Sequence, residues 1–272
     1  TKEYKNFKLD HVNICLPRGT IMGFVGENGA GKSTTIKLII DLIGRDGGKI
    51  TILGKDNKSG LKDVKENIGV VMDESYLPES LNAVEINRIM KRIYRTWDEG
   101  CFYELLDKFS ISRSKIIKEY SRGTKMKLSI AAALSHDPEL LILDEATSGL
   151  DPIVREEILD IFMEFIQDES HSVFISSHII SDLEKVCDYI TFIHKGKIIF
   201  SEAKDGLLDN YGILKCSEDE FKNIDPEIVK GMRKNKFGTE ALILKNKIRG
   251  DYVVDKADIE DIMVFYIKER IQ

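Results

Sequence analysis

The run Gly26-Glu27-Asn28-Gly29-Ala30-Gly31-Lys32-Ser33 decides the fold of this chain, because it matches the phosphate-binding loop pattern G-x-x-x-x-G-K-[ST]. The apolar residues 20–25 before it predict a short buried strand, and the apolar spacing of residues 32–43 after it predicts a helix. Glycines let backbone N–H groups approach phosphates closely, and the positive end of the following helix faces their charge. The sequence therefore predicts a strand, a phosphate-binding loop and a helix, in that order.

Two side chains of this loop have a predicted chemical role. We expect the Lys32 amine to reach the β- and γ-phosphates of a nucleotide and the Ser33 hydroxyl to ligate Mg²⁺. The complete predicted set around the phosphates is Gly26, Asn28, Gly29, Ala30, Gly31, Lys32, Ser33 and Thr34.

Two further apolar runs, at residues 140–143 and 173–175, predict buried strands that each end in polar residues. Between them, Asp151 and Pro152 predict the start of a helix, and the apolar residues after them keep helical spacing. A strand, a helix and a second strand in this order predict a βαβ unit. The sequence therefore predicts an α/β fold with a parallel sheet.

Two other regions have different patterns. Residues 78–120 carry apolar side chains at intervals of three and four without a strand-like run, which predicts a helical insertion. From about residue 201 onward, short alternating runs at 241–244 and 252–254 precede a helical pattern at 259–266. This last part predicts a small α+β appendage.

Asp144 and Glu145 directly follow the apolar run 140–143. At the end of a strand, the Asp144 carboxylate would point toward the same Mg²⁺ as Ser33. A carboxylate at Glu145, close to the γ-phosphate, would accept a proton from water and orient that water for attack. Two acids after a strand are by themselves more typical of a solvated loop, and it is the phosphate-binding loop that favours catalysis here.

These residues resemble the ABC ATPase family when they are taken together with Tyr120-Ser121-Arg122-Gly123-Thr124, Ser148-Gly149-Leu150-Asp151 and His178. The resemblance covers residues 4 to about 200. It implies a P-loop NTPase (RecA-like) core with a parallel sheet, an antiparallel β part specific to ABC proteins, and a helical subdomain at about residues 76–135. The implied domains are an ABC ATPase domain at 1–200 and a C-terminal accessory region at 201–272.

The resemblance identifies Ser121, Arg122 and Gly123 with the family signature, which begins a helix and binds the γ-phosphate of ATP held by another subunit. Ser121 is also a good helix N-cap, so an anion site and a simple cap are both open. In the same way, Asp151 corresponds to the loop between the two subunits, and it also fits as the cap of the helix that begins at Pro152.

Two more ATP-site residues follow from the resemblance. His178 corresponds to the switch histidine, which contacts the γ-phosphate and holds the carboxylate that activates water. Tyr4 corresponds to the aromatic residue on which adenine stacks, with Phe7 as the competing candidate. The predicted catalytic residues are therefore Glu145 and His178.

The sequence departs from the family pattern at two places. The glutamine usual in the loop before the helical subdomain is replaced by Asp73, whose shorter carboxylate we expect to ligate Mg²⁺ with Ser33 and Asp144. The signature reads Tyr-Ser-Arg-Gly-Thr instead of the commoner Leu-Ser-Gly-Gly-Gln. This variant resembles the ATPases of ABC-2-type exporters, including those of antibiotic-peptide resistance and immunity systems.

Composition excludes several classes of function. The formal net charge of −6 argues against a general nucleic-acid surface, which needs clustered Lys and Arg. The four cysteines form no C-x-x-C pair, so neither a disulfide framework nor a zinc site is predicted. No apolar run approaches the roughly 18–20 residues of a membrane helix.

The sequence thus predicts an ATP- and Mg²⁺-dependent ATPase subunit of an ABC transporter, with export favoured over import. Its expected partners are integral membrane transporter subunits and a second copy or a related ATPase subunit, with no nucleic acid. We expect it in the cytoplasm, on the inner face of the membrane. The alternative is a non-transport ABC ATPase acting on nucleic acid or the ribosome. The short spacing of 89 positions between Lys32 and Ser121 disfavours it, because the chromosome and repair type inserts hundreds of residues there.

Overall fold

The structure, a computed structural model, describes residues 1–236 and 238–267. Its strands are β1 (Lys2–Tyr4), β2 (Phe7–Leu9), β3 (Ile21–Val25), β4 (Thr51–Ile52), β5 (Lys55–Asp56), β6 (Ile68–Val71), β7 (Leu140–Asp144), β8 (Ser172–Ser177), β9 (Tyr189–His194), β10 (Lys197–Ala203), β11 (Tyr211–Cys216), β12 (Val229–Asn235), β13 (Gly238–Leu244) and β14 (Val253–Lys256). Its α-helices are α1 (Lys32–Ile39), α2 (Leu61–Val64), α3 (Ala83–Ile93), α4 (Glu99–Lys108), α5 (Arg122–Leu134), α6 (Pro152–Phe165), α7 (Ile180–Val186), α8 (Lys204–Asn210), α9 (Glu218–Phe221) and α10 (Ile259–Ile267).

The central sheet has the order β10-β9-β3-β8-β7-β6, and every strand except β10 runs parallel to its neighbours. All five residues of β3 are buried, as the apolar run predicted for a strand covered on both faces. β8 lies between β3 and β7. The segments that follow these three strands therefore meet at one edge of the sheet, which is where ligands bind in open α/β folds. The predicted parallel α/β core is confirmed.

Helix α1 is shorter than the apolar pattern predicted. It begins at Lys32 as expected but ends at Ile39, and not at residue 43. Asp41 has a left-handed backbone with φ of 56°, which ends the helical hydrogen-bond pattern. Residues 40–43 form a turn at the C-terminal end of α1, and Leu42 in this turn is exposed.

The predicted helical insertion at 78–120 contains α3 and α4 and no strand among its described residues, and the helical subdomain expected at about 76–135 also includes α5. Asn82 accepts a hydrogen bond from the Glu85 backbone N–H, and the Glu85 carboxylate accepts from the Asn82 N–H, so both residues cap α3. Trp97 packs at 5.2 Å from the Phe102 ring and donates its indole N–H to Asn87 Oδ1 over 2.8 Å. These contacts belong to the same hydrophobic core as β3, β7 and β8, so the insertion packs onto the central sheet.

The C-terminal part is an antiparallel sheet of order β12-β13-β11-β14 against which α10 packs. A methyl group at Gly231 would lie 1.9 Å from the Phe265 carbonyl oxygen, so α10 touches the backbone of β12. The predicted boundary at residue 200 falls inside β10, which stays paired with β9 as far as Ala203. Residues 268–272 of the predicted accessory region lie outside the described residues.

Helix α7 joins this C-terminal sheet to the core. Glu184 accepts a hydrogen bond from the Ile259 backbone N–H at the start of α10, over 2.8 Å. Lys204 donates to the Glu184 carbonyl oxygen over 2.7 Å. In addition, the Tyr211 and Tyr266 hydroxyls form a hydrogen bond of 2.7 Å. Among the described residues, no helix is long and apolar enough to cross a membrane.

Candidate functional site

The loop between β3 and α1 has the backbone that a phosphate site requires. Gly31 is the N-cap of α1 with φ of 115°, a conformation that favours glycine, and no side chain caps the helix. The first N–H groups of α1 are therefore open to an anion. The buried Lys32 amine folds back and donates to the Gly26 carbonyl oxygen over 2.7 Å.

A cavity of about 370 Å³ opens above this loop. Most of the predicted site residues line it, and three residues outside the predicted set line it as well. The predicted ones are Asn28, Gly29, Gly31, Lys32, Ser33, Thr34, Asp73, Arg122, Glu145 and His178, and the others are Phe7, Glu27 and Ser148. The cavity thus brings together side chains that follow four different strands of the sheet, β3, β6, β7 and β8.

Glu145 lies between the Lys32 amine and the His178 ring at the edge of this cavity. Its Oε1 is 3.2 Å from the Lys32 amine, and its Oε2 is 2.6 Å from His178 Nδ1. Its left-handed backbone, with φ of 52°, is uncommon for a glutamate and is held by a bond from its N–H to the Ser176 carbonyl oxygen. The predicted pairing of His178 with Glu145 is present in the geometry.

Asp144 is buried at the end of β7 and has one free oxygen. Its Oδ1 accepts from the Ser176 hydroxyl over 2.6 Å, whereas its Oδ2 has no hydrogen-bond partner among the described residues. Burial raises the pKa of Asp144; the Ser176 and Ser33 hydroxyls oppose that shift, and the negative charge of Asp73 adds to it. A buried acceptor without a partner is the position at which a cation or its bound water fits.

The oxygens of Ser33, Asp73 and Asp144 form a donor set that suits Mg²⁺. This ion prefers oxygen ligands and usually takes one or two carboxylates, with phosphates and water completing its shell. The described residues contain no cluster of three or more His, Cys, Asp or Glu that could hold a metal ion. One hydroxyl and two carboxylates leave the remaining positions of a six-coordinate Mg²⁺ to phosphate and water.

The signature residues are divided between the cavity and the surface. Ser121 is exposed and accepts a hydrogen bond from the Thr124 backbone N–H over 3.2 Å, so its role as the cap of α5 is confirmed. Arg122 reaches the cavity of its own chain and lies against Gly149, where a methyl group would come within 2.9 Å of Nη1. Ser121 and Gly123 do not line that cavity.

Five other predicted residues lie outside the cavity lining, and one of them is the buried Asp144 described above. Tyr4 is exposed and stands opposite Phe7 in the β1–β2 pair, and it is Phe7 that lines the cavity. Asp151 is exposed and accepts from the Val154 backbone N–H over 3.1 Å, so its role as the cap of α6 is confirmed. Gly26 and Ala30 are the buried residues of the loop on the side that faces β9.

Ser176 is the functional residue that the sequence analysis missed. Its hydroxyl donates to Asp144 and accepts from the Glu145 backbone N–H over 3.1 Å, so it fixes both acids at once. The signal was available: two serines close an apolar strand directly before His178, and buried hydroxyls need partners.

Comparison with known proteins decides the family of the chain. The family profile described as ABC transporter matches residues 9–148. The chain belongs to the ABC transporter family. Membership confirms the predicted fold class, and it assigns ATP binding to the ABC ATPase core.

Two relatives of this ABC chain are named for transport of peptide antibiotics. The bacitracin transport ATP-binding protein BcrA of Bacillus licheniformis is 37% identical over 202 residues, which are 73% of this chain and 66% of that protein. The lantibiotic transport ATP-binding protein SrtF of Streptococcus pyogenes is 36% identical over 200 residues, which are 73% of this chain and 85% of that protein. Both alignments leave about a quarter of this chain unmatched.

Solved structures show the same ABC fold. An ATP-binding subunit of an ABC transporter matches with a TM-score of 0.69 and 28% identity, over 76% of this chain and 88% of that one. A dimeric ATP-binding cassette in a post-hydrolysis state, bound to ADP and Pi, matches with a TM-score of 0.66 and 22% identity, over 74% and 95% of the two chains.

Proposed function

We propose that this chain is the ATP-hydrolysing subunit of an ABC exporter, which drives separate integral membrane subunits and moves peptide antibiotics out of the cell. The observation that carries the ATPase assignment is Glu145, held between Lys32 and His178 beside the phosphate-binding loop. The cargo class is supported by the names of the two relatives, which specify transport of bacitracin and of a lantibiotic. The export direction is supported by the signature variant at Ser121–Gly123. The chain works from the cytoplasmic face of the membrane.

In the proposed reaction, Glu145 accepts a proton from the water that attacks the γ-phosphate. His178 Nδ1 fixes one oxygen of that carboxylate and leaves the other near Lys32. Arrival of the phosphates draws the Lys32 amine toward their larger negative charge and away from Glu145. The carboxylate then loses a cationic partner and becomes a better base at the moment when substrate is present.

The same proposal assigns ATP to a shared site. Residues 26–34 of one subunit hold the phosphates, and Ser121–Gly123 of a second copy or a related ATPase subunit close on the γ-phosphate. Asp151 lies at this contact, and Tyr4 is the proposed adenine-stacking residue. When bound, Mg²⁺ neutralises charge on the β- and γ-phosphates, and Ser33, Asp73 and Asp144 are the residues that would hold it.

Asp73 provides the test of the metal site. Asp73→Ala should raise the Mg²⁺ concentration that gives half-maximal ATPase by about tenfold, because one oxygen near Asp144 is lost. The exposed Asp73 side chain accepts a local hydrogen bond from the Glu74 backbone N–H over 2.9 Å, so the melting temperature without nucleotide should stay nearly unchanged. A large drop in that melting temperature with an unaltered Mg²⁺ titration would mean that Asp73 is a structural acid.

Reconstitution tests the transport assignment. The chain is produced together with the membrane proteins encoded beside its gene and placed in inside-out vesicles. The vesicles should accumulate labelled bacitracin or a labelled lantibiotic only when ATP is present, and the Glu145→Gln complex should accumulate none. Accumulation that is equal with and without ATP would contradict ATP-driven export, and failure to copurify with any membrane protein would contradict the assigned partners.

A further inference from the structure

A buried polar junction lies behind the candidate active site, outside the cavity. Asp182 belongs to the first turn of α7 and is 2% exposed. Its Oδ2 lies 3.7 Å from Arg155 Nε, and neither atom has a hydrogen-bond partner among the described residues. The buried Thr147 hydroxyl has no partner by the same criterion. Buried polar groups in native proteins are nearly always satisfied, so this cluster requires an explanation.

Each member of the junction belongs to a different segment of the site. Asp182 follows His178 by four residues, and Thr147 follows Glu145 by two. Arg155 lies in the first turns of α6 and donates from Nη2 to the Leu150 carbonyl oxygen over 3.2 Å. The junction therefore joins the His178 segment, the Glu145 segment and the loop 148–151, which faces the other subunit in the proposed assembly.

The direction of the Asp182 pKa shift indicates that Asp182 and Arg155 form only a weak ion pair. Burial raises the pKa of Asp182, and the opposing effects of Thr147 and Arg155 do not overcome it. A tight ion pair would instead hold the pKa of a buried carboxyl down. A separation of 3.7 Å between Nε and Oδ2 leaves room for a closer arrangement of the same two side chains.

Simple attachment of α7 to α6 does not require this buried pair. Glu156 and Lys185 already form an ion pair between the same two helices at the surface, where both side chains are about half exposed. Burying charged groups costs more free energy than apolar packing, so a second, buried ion pair would do little to stabilise the contact between the two helices. Its position between three site segments points to another role.

We propose that Asp182 and Arg155 are positioning residues, which hold the His178 segment in register with the loop 148–151 and so set the contact of His178 with Glu145. Neither side chain touches the substrate in this account. The inference rests on the role proposed for His178. It predicts that a substitution at Asp182 alters turnover by moving the His178 ring.

The test uses the full chain with Asp182→Asn, which keeps the shape and removes the charge. We expect kcat for ATP to fall about tenfold while KM stays within about twofold, because the phosphate-binding loop is untouched. In a chain that already carries His178→Ala, Asp182→Asn should cause no further loss. The matched control is Glu156→Gln, which breaks the surface pair between the same helices and should leave kcat unchanged.

A second measurement does not depend on turnover. The chain has five histidines, so the His178 ring signal in an NMR spectrum is assigned by its loss in His178→Ala. That signal should move in Asp182→Asn and stay in place in Glu156→Gln. If it stays in place in Asp182→Asn, or if the two losses of kcat add fully, the inference is wrong even where the ATPase assignment holds. If Asp182→Asn does not fold, Arg155→Lys, which keeps the charge, is used for the same comparison.

Discussion

Glu145→Gln should retain ATP binding and lose at least about a hundredfold in turnover, because the amide keeps the shape of the side chain but cannot accept the proton of the attacking water. The structure adds a reason for retained binding. Glu145 does not hold the phosphate-binding loop in place, since Lys32 is anchored to the Gly26 carbonyl oxygen by its own bond. With hydrolysis stopped, ATP should accumulate on the protein and stabilise a closed dimer. Single-turnover hydrolysis and ATP-dependent sedimentation measure the two effects.

The matched control for this substitution is at the other end of the same strand. Glu139 precedes β7 and makes contacts with Arg18 and Asn67, far along the sheet from the cavity. Glu139→Gln should leave kcat near that of the wild type and change stability by no more than about 1 kcal/mol. Undiminished phosphate release by Glu145→Gln would remove this residue from its assigned role as the general base.

The candidate catalytic edge of the sheet was predictable because its residues follow apolar runs that are recognisable in the sequence. Lys32, Asp144, Glu145 and His178 each come just after, or within a few residues of, a buried parallel strand. Strand ends meet at one edge whatever the details of the loops, so spacing along the chain translates into proximity. The Glu145–His178 contact, across 33 positions, was implied by the family resemblance, and the strand-end rule explains why the two residues meet.

Other features depend on information that no local pattern contains. The apolar residues 40–43 continue the helical spacing of α1, and they conceal the left-handed turn at Asp41 that ends the helix. β10 passes residue 200 with exposed side chains at Ser201–Ala203, because it is an edge strand paired on one side only. Tyr4 and Phe7 are opposite each other in a hairpin, so sequence position alone could not rank them.

The buried junction of Arg155, Asp182 and Thr147 could not be predicted either, because no local sequence pattern shows which distant residues pack together. Arg155 and Asp182 are 27 positions apart on two helices, and each looks like an ordinary charged residue of an amphipathic segment. Only packing shows that their unpaired atoms face each other. Arg122 gave the opposite result: its sequence position suggested a role toward another subunit, and the structure shows that it also lines the cavity of its own chain.

In the proposed mechanism, each ATP site is shared between two ATPase subunits. Ser121 and Gly123 do not line the cavity of their own chain, and Ser121 is exposed at the N-terminal end of the thirteen-residue helix α5. An exposed helix start binds an anion only when the anion is brought to it. Hydrolysis should therefore wait for a second ATPase subunit, and activity per molecule should rise with protein concentration wherever light scattering shows mostly monomer.

Ser121→Arg should suppress that activity strongly, because it places bulk and a misplaced charge at the face that meets the other nucleotide. ATP binding to the monomer should stay within about a factor of three, which is under about 1 kcal/mol. The control is Ser217→Arg, since Ser217 caps α9 with the same hydroxyl-to-backbone bond but lies in the C-terminal region. Ser217→Arg removes an equivalent helix cap away from the nucleotide. A loss of ATPase activity that both variants show would therefore be attributed to the lost cap and not to the signature position.

The identity of the second subunit is settled by the same titration. If a related ATPase subunit is the partner, activity rises only when that subunit is added, and the shared site still holds. Steady turnover per molecule in a solution shown to be monomeric, together with loss of ATP binding in Ser121→Arg, would mean that the site is complete within one chain. In that case Arg122, which already lines its own cavity, would be the signature residue acting on the γ-phosphate, and the two-subunit mechanism would be wrong.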